Sequence, residues 1–176
     1  MAEPDPHLVI LRSRVDAHFE AAVARTPEGF ACRPGCDACC QVRLSVFAVE
    51  ADPLREALAQ LERRDPATRE RVREQGRDPG ATGCALLVDG RCVVYEQRPL
   101  ICRSHGLPIA VRDPDDPDGP LTLDHCPLNF QTVAPPRPSV LVLDAINQPL
   151  AVLAELTGRA AGTGSTRVGL AELASE

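Results

Sequence analysis

Apolar residues recur at helical spacing in the first part of the chain, directly after an aspartate and a proline. Asp is a favoured N-cap and Pro is favoured in the first helical turn, so Asp5 and Pro6 mark a helix start. The apolar positions that follow share one face: Leu8, Leu11, Val15, Phe19 and Val23. This pattern predicts an amphipathic helix over residues 6–25 that ends before Pro27 and Gly29.

Two further helices are predicted to start at aspartate–proline pairs, Asp52-Pro53 and Asp65-Pro66. The first has leucines at helical spacing, and the second is almost entirely charged. In the charged segment three arginines lie four residues apart and so form one stripe: Arg69, Arg73 and Arg77. We interpret the stripe as a solvent-exposed face, with a docking face for an acidic partner or phosphates as the alternative. A last apolar helix is predicted over roughly residues 140–157.

Short β-rich runs alternate with these helices. The clearest spans residues 85–95, where two apolar runs flank Asp89-Gly90, a dipeptide that suits a type I′ hairpin turn. Weaker strand signals lie near residues 44–46 and on both sides of an acidic loop over residues 113–120. Together the patterns predict an α+β fold, a small and mostly helical single domain with a short β-hairpin.

The composition supports one folded unit followed by a less ordered end. A length of 176 residues, of which 44% are apolar, suits a single domain with its own core. Gly, Ala, Ser and Thr dominate residues 158–166, a composition typical of linkers. We therefore assign residues 1–157 to one domain and residues 158–176 to a flexible linker and C-terminal tail.

Charge and hydropathy exclude several classes of function. The net charge is −6, which argues against a general nucleic-acid binder, and all 19 basic residues are arginine, which excludes lysine-based covalent chemistry. No apolar stretch approaches the roughly 20 residues of a membrane helix, and no signal peptide is visible. We therefore expect a cytoplasmic protein with neither nucleic acid nor a membrane as its partner.

Eight cysteines carry the candidate chemistry, and four of them fall within nine residues: Cys32, Cys36, Cys39 and Cys40. The other four are spread along the chain: Cys84, Cys92, Cys102 and Cys126. In a reducing compartment clustered thiols indicate a metal site, and thiolates are soft ligands that suit zinc or iron–sulfur clusters. All eight are candidate ligands, and the spacing leaves open whether they build one site or two. Side chains of adjacent cysteines normally point apart, so we do not expect both Cys39 and Cys40 to bind one ion.

Two histidines and two arginines lie close to these cysteines in sequence. His105 follows Cys102 by three residues, and His125 directly precedes the last cysteine. Whether either histidine binds metal is left open by the sequence. Arg98 and Arg103 flank Cys102 and are candidate hydrogen-bond donors to a site that carries negative charge.

The same residues resemble the cysteine-cluster (CxxCxxCC) family, a zinc- or iron-chelating domain. The resemblance rests on the run of residues 32–40, on Cys84 and Cys92, and on Y-E-Q-R-P-L-I-C-R at residues 95–103, and it covers about residues 30–130. It implies that the fold is arranged around a cysteine-built metal centre with zinc or iron as the cofactor, an iron–sulfur cluster included. Some relatives carry a further cysteine shortly after the C-R dipeptide, and here Cys126 is the candidate substitute.

Two functions follow from the cysteines and the resemblance. The first is a metal-binding protein that chelates zinc or iron through clustered cysteines. The second is a cluster-dependent protein-modifying or redox enzyme, because the family includes a flagellin lysine methylase thought to carry an iron–sulfur cluster. For that enzyme the candidate proton-transfer residues are Tyr95, His105 and His125. Both functions leave room for an unidentified protein partner. A secreted protein held together by disulfides is the minor alternative.

Overall fold

Helices account for most of the regular structure of this computed structural model, which describes residues 4–113, 115–116, 118–162 and 165–176. The helices are α1 Pro6–Arg25, α2 Ala48–Arg64, α3 Pro66–Arg77, α4 Leu100–Ser104, α5 Asp144–Ala161 and α6 Leu170–Ser175. The strands are β1 Ser45–Phe47, β2 Leu87–Val88, β3 Arg91–Cys92, β4 Ile109–Val111, β5 Thr122–Asp124, β6 Leu141–Val142 and β7 Arg167–Gly169. This is a small, mostly helical single α+β domain, which confirms the predicted fold class.

The first and third helices begin where their aspartate–proline pairs predicted. The Asp5 carboxylate accepts hydrogen bonds from the amides of His7 and Leu8, at 2.8 and 3.3 Å. In the same way Asp65 accepts a bond from the Thr68 amide at 3.0 Å, directly before α3. These bonds satisfy amide groups that have no partner within the first helical turn, so each helix starts at a fixed residue.

The second helix begins at Ala48, four residues before the predicted start, and contains Pro53 in its interior. Its first turn is stabilised by Glu50, whose buried carboxylate accepts hydrogen bonds from the backbone of Phe47 and, at 2.8 Å, from the Leu100 amide. The predicted start at Asp52 is therefore wrong, because the capping carboxylate is Glu50. The hydrogen bond from the Leu100 amide to the Glu50 carboxylate also fixes the start of α4 against α2.

The end of the chain differs from the predicted tail. Helix α5 continues past residue 158 to Ala161, strand β7 pairs antiparallel with β1, and α6 packs against α3. Leu173 is fully buried, and a Cβ atom on Gly76 of α3 would lie only 2.6 Å from the Ala171 carbonyl of α6. Residues 165–175 therefore belong to the fold, while residues 163–164 of the predicted linker lie outside the described residues.

The arginine stripe of α3 is only partly exposed to solvent. Arg69 is 3% exposed and donates a 2.7 Å hydrogen bond to the Ala174 carbonyl at the end of α6. Arg73 lies 2.5 Å from Glu62, and Arg77 lies 3.5 Å from Glu70. The interpretation as a wholly exposed face is wrong at Arg69, because the C-terminal helix covers it.

The predicted hairpin is present, formed by β2 and β3. Asp89 and Gly90 have φ angles of 52° and 72°, and positive φ at both central residues defines the predicted type I′ turn. Strands β4 and β5, on the two sides of the acidic loop, pair antiparallel, and β6 adds to β4 in parallel. The sequence predicted neither pairing. Residues 114 and 117 of the predicted acidic loop lie outside the described residues.

The hydrophobic core has two parts, and the cysteines lie around them. One part packs α2, α3 and α6 beneath the hairpin and includes Leu54, Leu86 and Leu173. The other packs α1, α4 and α5 together and includes Leu8, Leu107 and Leu150. Among the described residues, no helix has the length and apolar character needed to cross a membrane.

Candidate metal centre

All eight cysteines have free thiols, so the structure contains no disulfide among its described residues. Cys32 and Cys36 lie in the loop after α1, and Cys39 and Cys40 are the last two residues of a 3₁₀ turn over Ala38–Cys40. The remaining four lie at separate places in the fold: Cys84 before β2, Cys92 in β3, Cys102 in α4 and Cys126 after β5. The structure distributes them into two groups.

The larger group lies beside the hairpin, and we call it the hairpin group: Cys39, Cys40, Cys84, Cys92 and Cys102. The Cys84 amide donates a 2.8 Å hydrogen bond to the Cys40 carbonyl, which joins the first cysteine segment to the hairpin. The hairpin register places Cys92 opposite Leu87, whose amide bonds to the Cys84 carbonyl at 3.1 Å. Backbone hydrogen bonds therefore gather cysteines that lie far apart in sequence.

The thiols of the hairpin group influence one another strongly. Burial, reinforced by the nearby Cys84 and Cys92, raises the pKa of Cys102 to about 12. Burial also raises the pKa of Cys84 and the pKa of Cys92. Several buried thiolates close together repel one another, so the chain alone favours the protonated thiols here. A bound cation would reverse this preference.

Cys39 and Cys40 do not point apart, contrary to the expectation for adjacent cysteines. Their side chains share a hydrogen bond that raises the pKa of Cys39 and lowers the pKa of Cys40. Both residues lie in the 3₁₀ turn that ends at Cys40. Both side chains can therefore contribute to one site.

Of the two arginines that flank Cys102, only Arg98 acts on the cysteines. Its positive charge lowers the pKa of Cys92 and the pKa of Cys102, against the larger effect of burial. The guanidinium lies 3.6 Å from the centre of the Tyr95 ring, and its Nε donates a 3.0 Å bond to the Tyr95 carbonyl. Arg103 instead forms a 2.5 Å ion pair with Asp16 of α1. The expectation that Arg103 supports the cysteines is therefore not supported by its contacts.

The smaller group combines two cysteines of the loop after α1 with one that follows β5, and we call it the loop group: Cys32, Cys36 and Cys126. Burial raises the pKa of Cys32, and the neighbouring thiols of Cys126, Cys36 and Cys39 add to this effect. A hydrogen bond from Asn129 acts in the opposite direction. Cys39 therefore lies between the two groups and interacts with both.

Asn129 is fully buried and joins three segments around Cys32. Its Oδ1 accepts a 2.8 Å hydrogen bond from the Ala31 amide, and its Nδ2 donates a 2.7 Å bond to the Gly106 carbonyl. The same Nδ2 lies 3.5 Å from the Cys32 sulfur. Sequence reasoning missed this residue because a single asparagine in a polar stretch belongs to no pattern.

Gly106 also contacts the loop group. It has a φ of +97°, a conformation that glycine adopts without strain, and a Cβ atom here would lie 2.7 Å from the Cys32 sulfur. The glycine therefore leaves the space that the sulfur occupies. Cys126, the candidate substitute for a cysteine after the C-R dipeptide, interacts with Cys32.

A cavity of about 680 Å³ lies between α4, α5 and the β4–β5 strands, next to the loop group. Its wall contains two thiols and two imidazoles, from Cys39, Cys126, His105 and His125. Burial lowers the pKa of His105, whose ring is hydrogen-bonded to the Ile101 backbone. A second cavity, of about 460 Å³, is lined by Cys36. Neither cavity is lined by the five other cysteines: Cys32, Cys40, Cys84, Cys92 and Cys102.

The donors fit a soft metal by type, but they are not yet in a ligand arrangement. Across residues 4–113, 115–116, 118–162 and 165–176, no three side chains of His, Cys, Asp or Glu already converge closely enough to hold an ion. The thiols of each group are near enough to interact electrostatically, so metal binding requires side-chain rotation within each group. Free, crowded thiols with an arginine beside them suit zinc or iron.

Comparison with known proteins identifies the domain. The model of the CxxCxxCC family, described as "Putative zinc- or iron-chelating domain", matches residues 31–115. No curated protein and no solved structure matches the chain. The match includes seven of the eight cysteines and ends before Cys126. Residues 31–115 are therefore similar to the CxxCxxCC family, the same family that the clustered cysteines resemble.

Proposed function

We propose that the protein binds one zinc or iron centre through the hairpin group, with Cys40, Cys84, Cys92 and Cys102 as its ligands. The observation that supports this most directly is the meeting of four separate segments at one place, joined by the bond between the Cys84 amide and the Cys40 carbonyl. Four thiolates match the donor set of a closed zinc site and of a four-iron cluster. Cys39 supports the site through its hydrogen bond to Cys40.

The charges near the hairpin group suit such a centre. Four thiolates around Zn²⁺ leave a net charge of about −2, which a nearby cation stabilises. Arg98 supplies that cation, since its charge acts on Cys92 and on Cys102. When bound, zinc would stabilise the fold, whereas an iron–sulfur cluster would add electron transfer. A reducing, cytoplasmic location is part of the proposal, because the ligands must stay unoxidised.

A cluster-dependent enzyme is the second candidate, and the cavity of about 680 Å³ favours it. The cavity is lined by Cys39 of the hairpin group and by His105, a half-buried imidazole whose pKa is lowered by burial, which favours the neutral form. A substrate cleft beside a metal centre and a neutral base are what an enzyme requires. A chelating protein tolerates His105→Ala without loss of function, whereas an enzyme does not.

The test is to purify the full chain anaerobically without added metal, then to measure its elemental content and its visible spectrum. Near-stoichiometric zinc without colour supports a closed zinc site. Iron with acid-labile sulfide and absorption near ~400 nm supports a cluster. The matched variants are Cys84→Ser and Cys126→Ser, and the proposal requires that Cys84→Ser lose the metal of the hairpin group. It is contradicted if Cys84→Ser retains the full metal content of the unmodified chain.

A further inference from the structure

Apolar side chains form much of the wall of the cavity of about 680 Å³. They come from α4, β4, α5 and the segments that adjoin these elements: Leu100, Leu107, Ile109, Leu143, Ile146 and Leu150. All of them belong to, or pack against, the part of the core that α1, α4 and α5 form. Cavities of this size, with apolar walls and a few polar groups, are typical of small-molecule sites. The wall therefore suits a ligand with an apolar body.

One arginine, Arg167 of β7, also lies in the wall of this cavity and is held by the neighbouring strand β1. Its guanidinium stacks on the Phe47 ring, 4.7 Å from the ring centre. Its Nε donates a 3.0 Å hydrogen bond to the Ser45 hydroxyl, and its Nη2 donates to the Ser45 carbonyl. The guanidinium is therefore positioned before any ligand binds, which lowers the entropy that binding costs.

These contacts leave the end of the guanidinium available to an anion. An arginine side chain has five N–H donors, and Ser45 accepts from two of those on Arg167. The remaining donors are on Nη1 and Nη2, and parallel N–H groups of this kind form a bidentate pair with a carboxylate. Within the part of the chain that the structure describes, no ion pair joins Arg167 to an acidic side chain.

Two carboxylates that also line the cavity limit the charge of the ligand: Glu50 and Asp124. Glu50 accepts hydrogen bonds from the backbone of Phe47 and Leu100, and Asp124 accepts a 2.8 Å bond from the His125 amide. Their negative charges disfavour an anion with two charges, such as a phosphate monoester, more than an anion with one. The head group that fits is therefore a single carboxylate.

We propose that this cavity binds an aliphatic monocarboxylate, in which Arg167 holds the carboxylate and the walls from α4, β4 and α5 cover the chain. The inference goes beyond the proposed function and does not depend on it. None of the proposed metal ligands lines the cavity, and the contacts that position Arg167 involve no cysteine.

The experiment is isothermal titration calorimetry of the full chain, purified anaerobically, with octanoate as the probe. We expect one saturable site, and an affinity that rises roughly fourfold for each methylene added between hexanoate and octanoate. Octanol lacks the charge, octylamine reverses it and octyl phosphate doubles it, so each should bind at least about tenfold more weakly than octanoate. The inference is overturned if octanoate shows no saturable binding, or if any of the three other probes binds as tightly.

The role of the charge is tested with Arg167→Gln, and Arg159→Gln is the matched control. Arg159 is an exposed arginine of α5 that pairs with Glu155 and does not line the cavity. We expect Arg167→Gln to weaken octanoate at least about tenfold and to leave octanol unchanged, whereas the control changes neither. Equal octanoate affinities in the two variants contradict the role of Arg167. The comparison of probes on the unmodified chain decides the inference even if Arg167→Gln fails to fold.

The position of the probe is read from the NMR spectrum of the ¹⁵N-labelled chain. We expect octanoate to shift the Arg167 Nε–H signal and the amide signal of Gly106, which lines the cavity, but not that of Gly76 in α3, which does not. Shifts confined to residues outside the cavity contradict the inference. Metal content is measured in the same samples. A chain that holds its metal without binding octanoate overturns the inference and leaves the proposed function intact, and a chain that binds octanoate without metal does the reverse.

Discussion

The hairpin group and the loop group are built from the same side chain but held by different means. In the hairpin group the backbone positions the sulfurs, through the Cys84–Cys40 hydrogen bond and the β2–β3 register. Cys84 and Cys92 also pack against the core beneath α2 and α6. In the loop group a side chain, Asn129, and a glycine, Gly106, position the sulfur of Cys32.

This difference predicts different consequences of metal binding. Metal bound to elements that also form the core links those elements, so its binding energy contributes to folding. In the loop group the Cys32 sulfur is held by contacts from connecting segments, which contribute less to the core. The hairpin group is therefore the candidate for metal-dependent stability.

The largest expected effect that separates the groups is on thermal stability. A ligand present at a thousandfold above its Kd stabilises a protein by about 4 kcal/mol, which for a chain of this size corresponds to roughly 8–16 °C in Tm. We expect Cys84→Ser to lose most of that increment and Cys126→Ser to lose much less. Calorimetry of both variants with and without Zn²⁺ measures the difference, and equal losses would contradict the contrast between the groups.

The next effect is on the pH dependence of binding to the hairpin group. Burial raises the pKa of Cys84 and of Cys92, and that of Cys102 to about 12, so the Cys102 thiol is protonated in the metal-free chain at pH 9. Zn²⁺ must displace their protons, and each displaced proton makes the affinity fall about tenfold per unit decrease in pH. At pH 9 we expect Cys102 to release close to one proton per Zn²⁺. Calorimetry in buffers of different ionisation enthalpy counts the protons, and Cys102→Ser provides the comparison.

Local patterns in the sequence predicted the elements whose capping and turn contacts are also local. Asp5 and Asp65 cap their own helices, and Asp89-Gly90 turns between two adjacent strands. These contacts involve residues close in sequence, so the residue types alone indicate them. The start of α2 was not predictable in this way, because Glu50 is buried against Leu100, which is fifty residues away.

The candidate site was predictable in its donors but not in their grouping. The cysteine spacing and the family resemblance indicated metal chelation, and the family match bears this out over residues 31–115. The division into two groups depends on contacts such as Asn129 to Cys32 and Cys84 to Cys40, which join distant segments. Sequence reasoning also missed the short helix α6, because its 6 residues are too few to show a helical hydrophobic period. Its buried face is defined by packing against α3.

A smaller effect, confined to the loop group, is expected from Gly106→Ala. The substitution places a residue with a Cβ at a φ of +97° and pushes that atom to within 2.7 Å of the Cys32 sulfur. The backbone strain costs about 1–3 kcal/mol, and the clash with the sulfur adds to it, so we expect a lower melting temperature. The control is Gly162→Ala, where φ is +72° and a Cβ would contact nothing within 4 Å. Equal melting temperatures for the two variants would show that the contact between Gly106 and the Cys32 sulfur adds no cost.

The smallest expected effect is confined to the hairpin group and comes from Arg98→Ala. Loss of the guanidinium removes a positive charge that lowers the pKa of Cys92 and of Cys102. Both pKa values then rise, so Zn²⁺ must displace protons that these thiols hold more tightly. We expect Zn²⁺ to bind the hairpin group about tenfold more weakly. Arg103→Ala is the matched control, because its guanidinium pairs with Asp16 and so its loss affects stability without affecting Zn²⁺. If both variants weaken Zn²⁺ binding alike, the arginines act through the shape of α4, and the electrostatic distinction between Arg98 and Arg103 is wrong.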